Sequence, residues 1–161
     1  MDKKSLWWYR QNALAIIFNK EWYVFIWKNA LWWQDWTFPK WGVEMWETLN
    51  EALFREIYEE TWLIQQDLKI VHQFENSFKK DFSQEEIEWK ILNKNEFFIG
   101  KEDHMFLLSY NDKWTINLEI TWELIDFKWV SVNEIEKYIE NKKLIDLIKL
   151  DFLAEKIKTL W

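Results

Sequence analysis

Glu56, Glu59 and Glu60 lie within "REIYEETWL" (Arg55–Leu63). Spacing of i, i+3 and i+4 places three carboxylates on one side of a helix. Like charges at these spacings weaken an isolated helix by roughly 0.2–0.5 kcal/mol per pair, and a purely structural helix would interleave lysines. A solvated acidic face is the plain reading of any Glu-rich helix. The other is a hard-cation site: Mg²⁺ takes oxygen ligands, keeps part of its water, and bridges carboxylates to substrate phosphates.

The helix that would carry these groups has its own signals. Thr48 is a candidate N-cap, and Glu51 completes a capping box. Leu49, Ala52, Leu53 and Ile57 form an apolar stripe that can dock on a sheet, leaving Glu56, Glu59 and Glu60 on an adjacent face. The pattern ends near Thr61, which puts Trp62 where a helix C-terminus prefers glycine.

Around this helix the chain reads as one domain, residues 1–161, without a Pro/Ser-rich linker or an internal repeat. Asn12–Phe18 and Tyr23–Trp27 read as strands joined by a hairpin turn at "NKEW". Asp67–Phe78, Asn95–Gly100, His104–Tyr110 and Phe127–Val132 are also strand-like. Helices are expected over Asn133–Ile139 and Leu144–Leu160. Strands on both sides of one strong helix, with helices closing the chain, predict an α/β sandwich.

Composition narrows the class. The 161 residues are 49% hydrophobic, enough for one core, and contain no cysteine, which excludes disulfides, thiol nucleophiles and cysteine-bound zinc. No apolar run approaches the roughly 20 residues of a membrane span, and "MDKKSLWWYRQN" lacks the apolar stretch of a signal peptide. A cytoplasmic protein without a membrane partner is the expectation. A net charge of −7 argues against broad nucleic-acid binding but leaves room for a local polyphosphate site bridged by metal.

Order and spacing then point to a family. Trp41, Glu47, Arg55, Glu56, Ile57, Glu59, Glu60, Trp62 and Leu63 follow the Nudix hydrolase signature, G-x5-E-x7-R-E-U-x-E-E-x-G-U with U aliphatic. Every charged and aliphatic position matches, and both glycines are tryptophan. "WYRQN" (Trp8–Asn12) resembles the Gly-Tyr-Arg-x-Asn opening of bacterial RNA pyrophosphohydrolases and dinucleoside polyphosphate hydrolases. "WTFPKWG" (Trp36–Gly42) is similar to their Trp-Gln-Phe-Pro-Gln-Gly-Gly, with Thr37 and Lys40 in place of glutamines. "WELIDFKWV" (Trp122–Val130) resembles the segment that carries a further catalytic glutamate, here Glu123.

The resemblance implies a Nudix-type α/β/α sandwich with a mixed sheet and a loop–helix–loop motif over 41–63. It implies metal-dependent cleavage of nucleoside polyphosphates, either RNA 5′-triphosphate ends or dinucleoside polyphosphates. Glu56, Glu59 and Glu60 would hold Mg²⁺, or Mn²⁺, with Glu123 as a fourth ligand or as the general base; Glu60 is the alternative base. Arg55 and Glu47 would pair to hold the loop against the helix. Arg10 would contact the nucleotide end of the substrate, unless it is a surface arginine at a strand end, and Lys40 would meet phosphate or solvent. His72 and His104 read as ordinary strand residues. A non-catalytic nucleotide-binding module on the same fold is the alternative. Oligomeric state has no sequence signal.

The tryptophans need their own account. The chain has 15 Trp and 2 Gly, where a glycine share of about 7% would give roughly 11. Trp8, Trp22, Trp41, Trp46 and Trp62 stand where glycine belongs in the family pattern or in a turn. A non-glycine residue in the left-handed region costs about 1–2 kcal/mol. The expectation is a gene whose UGA codons specify glycine, read with a table in which UGA specifies tryptophan. Trp36 and Trp129 fall where the family itself has tryptophan.

Overall fold

The computed structural model describes residues 8–29, 35–112 and 124–159. Two long strands form its centre: β1 (Tyr9–Phe18) and β7 (Gly100–Tyr110) run parallel, in register from Tyr9 opposite Gly100 to Phe18 opposite Ser109. Both are buried on two faces, as an apolar run such as "ALAIIF" requires. The other pairings are antiparallel. β2 (Tyr23–Asn29) follows β1 through the hairpin and pairs with β3 (Trp36–Thr37) and β8 (Leu124–Ser131). β4 (Lys40–Gly42) lies along β1 at Asn12–Leu14, while β5 (Leu68–Gln73) and β6 (Phe78–Asp81) share β7. The result is one mixed eight-stranded sheet.

Strand alternation divides the core in two. Ala13, Ala15, Ile17, Phe106 and Leu108 face Leu53 and Ile57 of α1 (Leu49–Thr61). Leu14, Ile16, Phe18, Met105 and Leu107 face Ile145, Ile148 and Phe152 of α3 (Lys142–Thr159). Helices therefore cover both faces, the expected α/β/α sandwich.

Several expected elements differ. Asp67–Phe78 is not one strand: β5 stops at Gln73, and the chain bends before β6 takes a second stretch of β7. The segment 95–99 is not a strand; pairing begins only at Gly100, and the Ile99 amide donates to the Trp8 carbonyl at 2.7 Å. Val132–Lys137 is a 3₁₀ turn capped by Ser131 rather than an α-helix. α2 (Gln84–Lys94) was not expected at all, because it buries no side chain and shows no clear apolar stripe. Its signal was present nonetheless in Ser83 and Glu86, which form a capping box.

Candidate active site

Local chemistry builds α1 as its sequence predicts. Thr48 accepts from the Glu51 amide at 3.2 Å and Glu51 accepts from the Thr48 amide at 2.8 Å, a complete capping box. The helix ends at Thr61, and Trp62 takes φ 63° in the left-handed region, its amide donating to the Tyr58 carbonyl at 2.8 Å. The loop entering the helix is tied down at both ends. The Val43 amide donates to the Gln11 carbonyl at 2.8 Å, and the Glu44 amide donates to Glu47 Oε2 at 3.1 Å.

Arg55 organises the acidic face. Its Nε and Nη2 donate to the two oxygens of Glu47, the latter at 2.9 Å, in the bidentate geometry that arginine favours. Nη1 donates to Glu56 at 2.9 Å and to Glu59 at 3.2 Å. The Glu47 side chain is 8% exposed, and the Arg55 hydrogen bond holds its carboxyl below the usual range. Burial pushes the Glu56 carboxyl up; Arg55 opposes this, and the neighbouring Glu59 and Glu47 charges add to it. Glu59 is exposed and Glu60 half-buried, with its Oε2 shielded from solvent.

Oxygen-only donors on one helical face suit a hard divalent cation. Two of them, Glu56 and Glu59, rest on Arg55, and no three acidic or histidine side chains converge on one point among the described residues. The donor chemistry fits such an ion, which would draw those two carboxylates off the guanidinium. Glu123 lies outside the described residues.

Arg10 and Lys40 both lie at β4, ahead of the loop that enters α1. Lys40 pairs with Leu14, and Gly42 with Asn12, so both cations sit where β1, β4 and β7 meet. Lys40 Nζ lies 3.3 Å from Asp103 Oδ2, and Asn12 donates to Asp103 Oδ1 at 2.8 Å. Lys101, in register with Arg10 on β7, has its ammonium pushed down to about 8 by burial and then by the Lys40 charge. The Arg10 guanidinium packs on Gly42 and donates to Glu96 at 2.8 Å. Sequence reasoning missed Asn12, Lys101 and Asp103, whose alignment depends on parallel register, and Glu96, which lies ahead of β7. His104 is not isolated in its strand: its Nε2 is 2.6 Å from Gln11 Oε1. His72 lies 3.4 Å from Asp151.

The tryptophan positions separate on backbone grounds. Trp22 and Trp62 have φ of 66° and 63°; the other described non-glycine residues at positive φ are Asn95 and Asp112, types that tolerate it. Trp41 and Trp46 are not left-handed, so no strain of that kind arises there. Trp41 is extended and buried against Trp27, ring centroids 5.5 Å apart and nearly perpendicular.

Comparison with known proteins agrees with this geometry. A family model for the NUDIX domain matches residues 8–149. The RNA pyrophosphohydrolase of Vibrio atlanticus is 31% identical over 126 residues, covering 76% of this chain and 71% of that protein. That of Hamiltonella defensa is 28% identical over 138 residues, covering 81% and 82%. Among solved structures, the E. coli dihydroneopterin triphosphate pyrophosphohydrolase shares the fold with a TM-score of 0.69 at 15% identity, over 89% of this chain and 99% of that one. A C. elegans Ap4A hydrolase binary complex does so with 0.66 at 19%, over 89% and 98%. The chain belongs to the Nudix family. It is a hydrolase acting on phosphoanhydride bonds. No helix among the described residues is long and apolar enough to cross a membrane.

Proposed function

We propose that the chain is a divalent-metal-dependent pyrophosphohydrolase of nucleoside polyphosphates, cleaving RNA 5′-triphosphate ends or dinucleoside polyphosphates. One observation carries the reading. The three-glutamate face of α1 is joined through Arg55 and Glu47 to a loop that begins at Lys40 and passes under Arg10. The carboxylates for a metal and Lys40 thus lie along one short segment, against which Arg10 packs from β1 at Gly42.

Mg²⁺ or Mn²⁺ held by Glu56, Glu59 and Glu60, with Glu123 as a further ligand, would neutralise phosphate charge and lower the pKa of an attacking water. Glu123, where it serves as base instead of as a ligand, would accept that water's proton, and Glu60 is the alternative acceptor. Lys40 and Arg10 bind the phosphate chain, while Arg55 and Glu47 hold the loop against the helix. The names of the curated relatives favour RNA ends; the net charge of −7 favours a small nucleotide. A single domain over residues 1–161, working in the cytoplasm, belongs to the same proposal.

Glu56→Gln tests it with 5′-triphosphorylated RNA and a dinucleoside tetraphosphate as substrates in Mg²⁺. Turnover should fall by orders of magnitude. A parent chain that binds nucleotide, with no turnover for the substitution to remove, would identify a non-catalytic module instead.

A further inference from the structure

Arg10 carries a constraint that its proposed contact with substrate does not require. A Cβ built on Gly42 would lie 2.5 Å from Arg10 Nη2 and 2.8 Å from Nε. Gly42 does not have positive φ, so its missing side chain serves space rather than backbone conformation. On the far side, Glu96 Oε1 accepts from Arg10 Nη1 at 2.8 Å, and Lys90 Nζ stands 3.6 Å from Glu96 Oε2. Asn95, at φ 52°, ends α2 and turns the chain to present Glu96. α2 buries no side chain, so core packing does not explain where it sits. Its ion pairs do.

We propose that Glu96 is a positioning residue for substrate binding: it holds the Arg10 guanidinium on Gly42, in the loop that leads into the carboxylate-bearing helix. This rests on the polyphosphatase reading above. A free arginine carries about 2 kcal/mol of rotamer entropy, much of it lost when the side chain is fixed on phosphate. Arg10 is 42% exposed on its side chain and would wander without a tether. Glu96 engages one nitrogen of the fork, and no other hydrogen bond to this guanidinium is seen among the described residues. The remaining N–H groups are left for an anion.

Charge and position predict opposite signs. Glu96→Gln removes one negative charge from a site that already holds Arg10, Lys40 and Lys101 against Asp103, so Coulomb attraction alone would tighten anion binding. Loss of the tether would weaken it by about 3- to 10-fold, the scale of one unordered side chain.

The experiment measures binding of inorganic tripolyphosphate by calorimetry, together with KM and kcat for a dinucleoside tetraphosphate in Mg²⁺. The variants are Glu96→Gln, Arg10→Gln, the double variant, Gly42→Ala and Lys90→Met, each confirmed folded by its melting curve. Glu96→Gln should weaken binding and raise KM with kcat within about twofold, and Gly42→Ala should act in the same direction. The double variant should bind no more weakly than Arg10→Gln, and Lys90→Met should bind like the parent. Tighter or unchanged binding in Glu96→Gln overturns the proposal, as does a Glu96 effect that persists without Arg10. An equal loss in Lys90→Met assigns the effect to anchoring of α2 and overturns it too. If Arg10→Gln alone has no effect, the substrate role of Arg10 fails, and the proposal fails with it.

Discussion

Replacing Trp62 by glycine should stabilise the protein. Trp62 ends α1 at φ 63° and ψ 8°, is 56% exposed, and its ring stacks on no other described aromatic. Its left-handed backbone costs about 1–2 kcal/mol relative to a residue without a Cβ, and its exposed indole recovers little by burial. Glycine pays more backbone entropy on folding, roughly 0.5–1 kcal/mol relative to alanine, which takes back part of the gain. A net gain of about 1 kcal/mol is expected, or some 2–4 °C in Tm for a domain of this size. Trp62→Ala is the control, because it removes the indole and keeps the Cβ. Urea denaturation followed by circular dichroism should rank Trp62→Gly above Trp62→Ala and above the parent. Equal stability of the glycine and alanine variants would refute the argument that backbone conformation is the cost. Trp22, at φ 66°, provides the contrast. It stacks on Phe18 at 5.1 Å and meets Phe152 edge-on at 5.2 Å, pairs worth about 0.5–1.5 kcal/mol each. Those contacts, with the burial of a half-buried indole against the core, outweigh the strain, so Trp22→Gly should lower stability by about 1 kcal/mol or more.

The codons themselves should read UGA at 22, 41, 46 and 62 and UGG at 36 and 129; UGG throughout would sink the reassignment. Lys101 gives a pH prediction: its folded pKa of about 8 lies below the ordinary lysine value, so the unfolded chain binds more protons between about pH 8 and 10.5, and stability rises across that window. After allowance for partial exposure the rise is about 1 kcal/mol. Lys101→Met should abolish it, and an unchanged pH profile would refute the assignment. Arg55→Lys, which cannot fork onto both oxygens of Glu47, should lower stability by about 1 kcal/mol and reduce turnover; unchanged values for both would show the fork to be dispensable. A salt titration of binding separates the substrates: a slope of log K against log salt near −0.7 per phosphate contact, steepening with RNA length, marks RNA ends, whereas a slope independent of length marks the small nucleotide.

The sequence by itself determined what is local. The capping box at Thr48 and Glu51, the end of α1 at Thr61, the shared face of Glu56, Glu59 and Glu60, and the unsuitability of tryptophan at 22 and 62 follow from contacts within a turn or two of chain. α3 follows from its apolar periodicity, and the Arg55–Glu47 pair is what the family resemblance implies. Tertiary structure decided what depends on register between distant segments. Parallel pairing of β1 with β7 aligns Arg10 with Lys101 and Asn12 with Asp103, and β4 then brings Lys40 to Asp103. A one-residue slip would send each of these side chains to the opposite face. No short window of sequence carries that information. The same holds for β5 and β6, where one expected strand became two because β7 is long enough to accept both. Glu96 is the clearest case. Its neighbourhood, Asn95–Gly100, reads as a strand, and only the packed sheet shows a non-strand segment there that puts Arg10 within reach of its carboxylate.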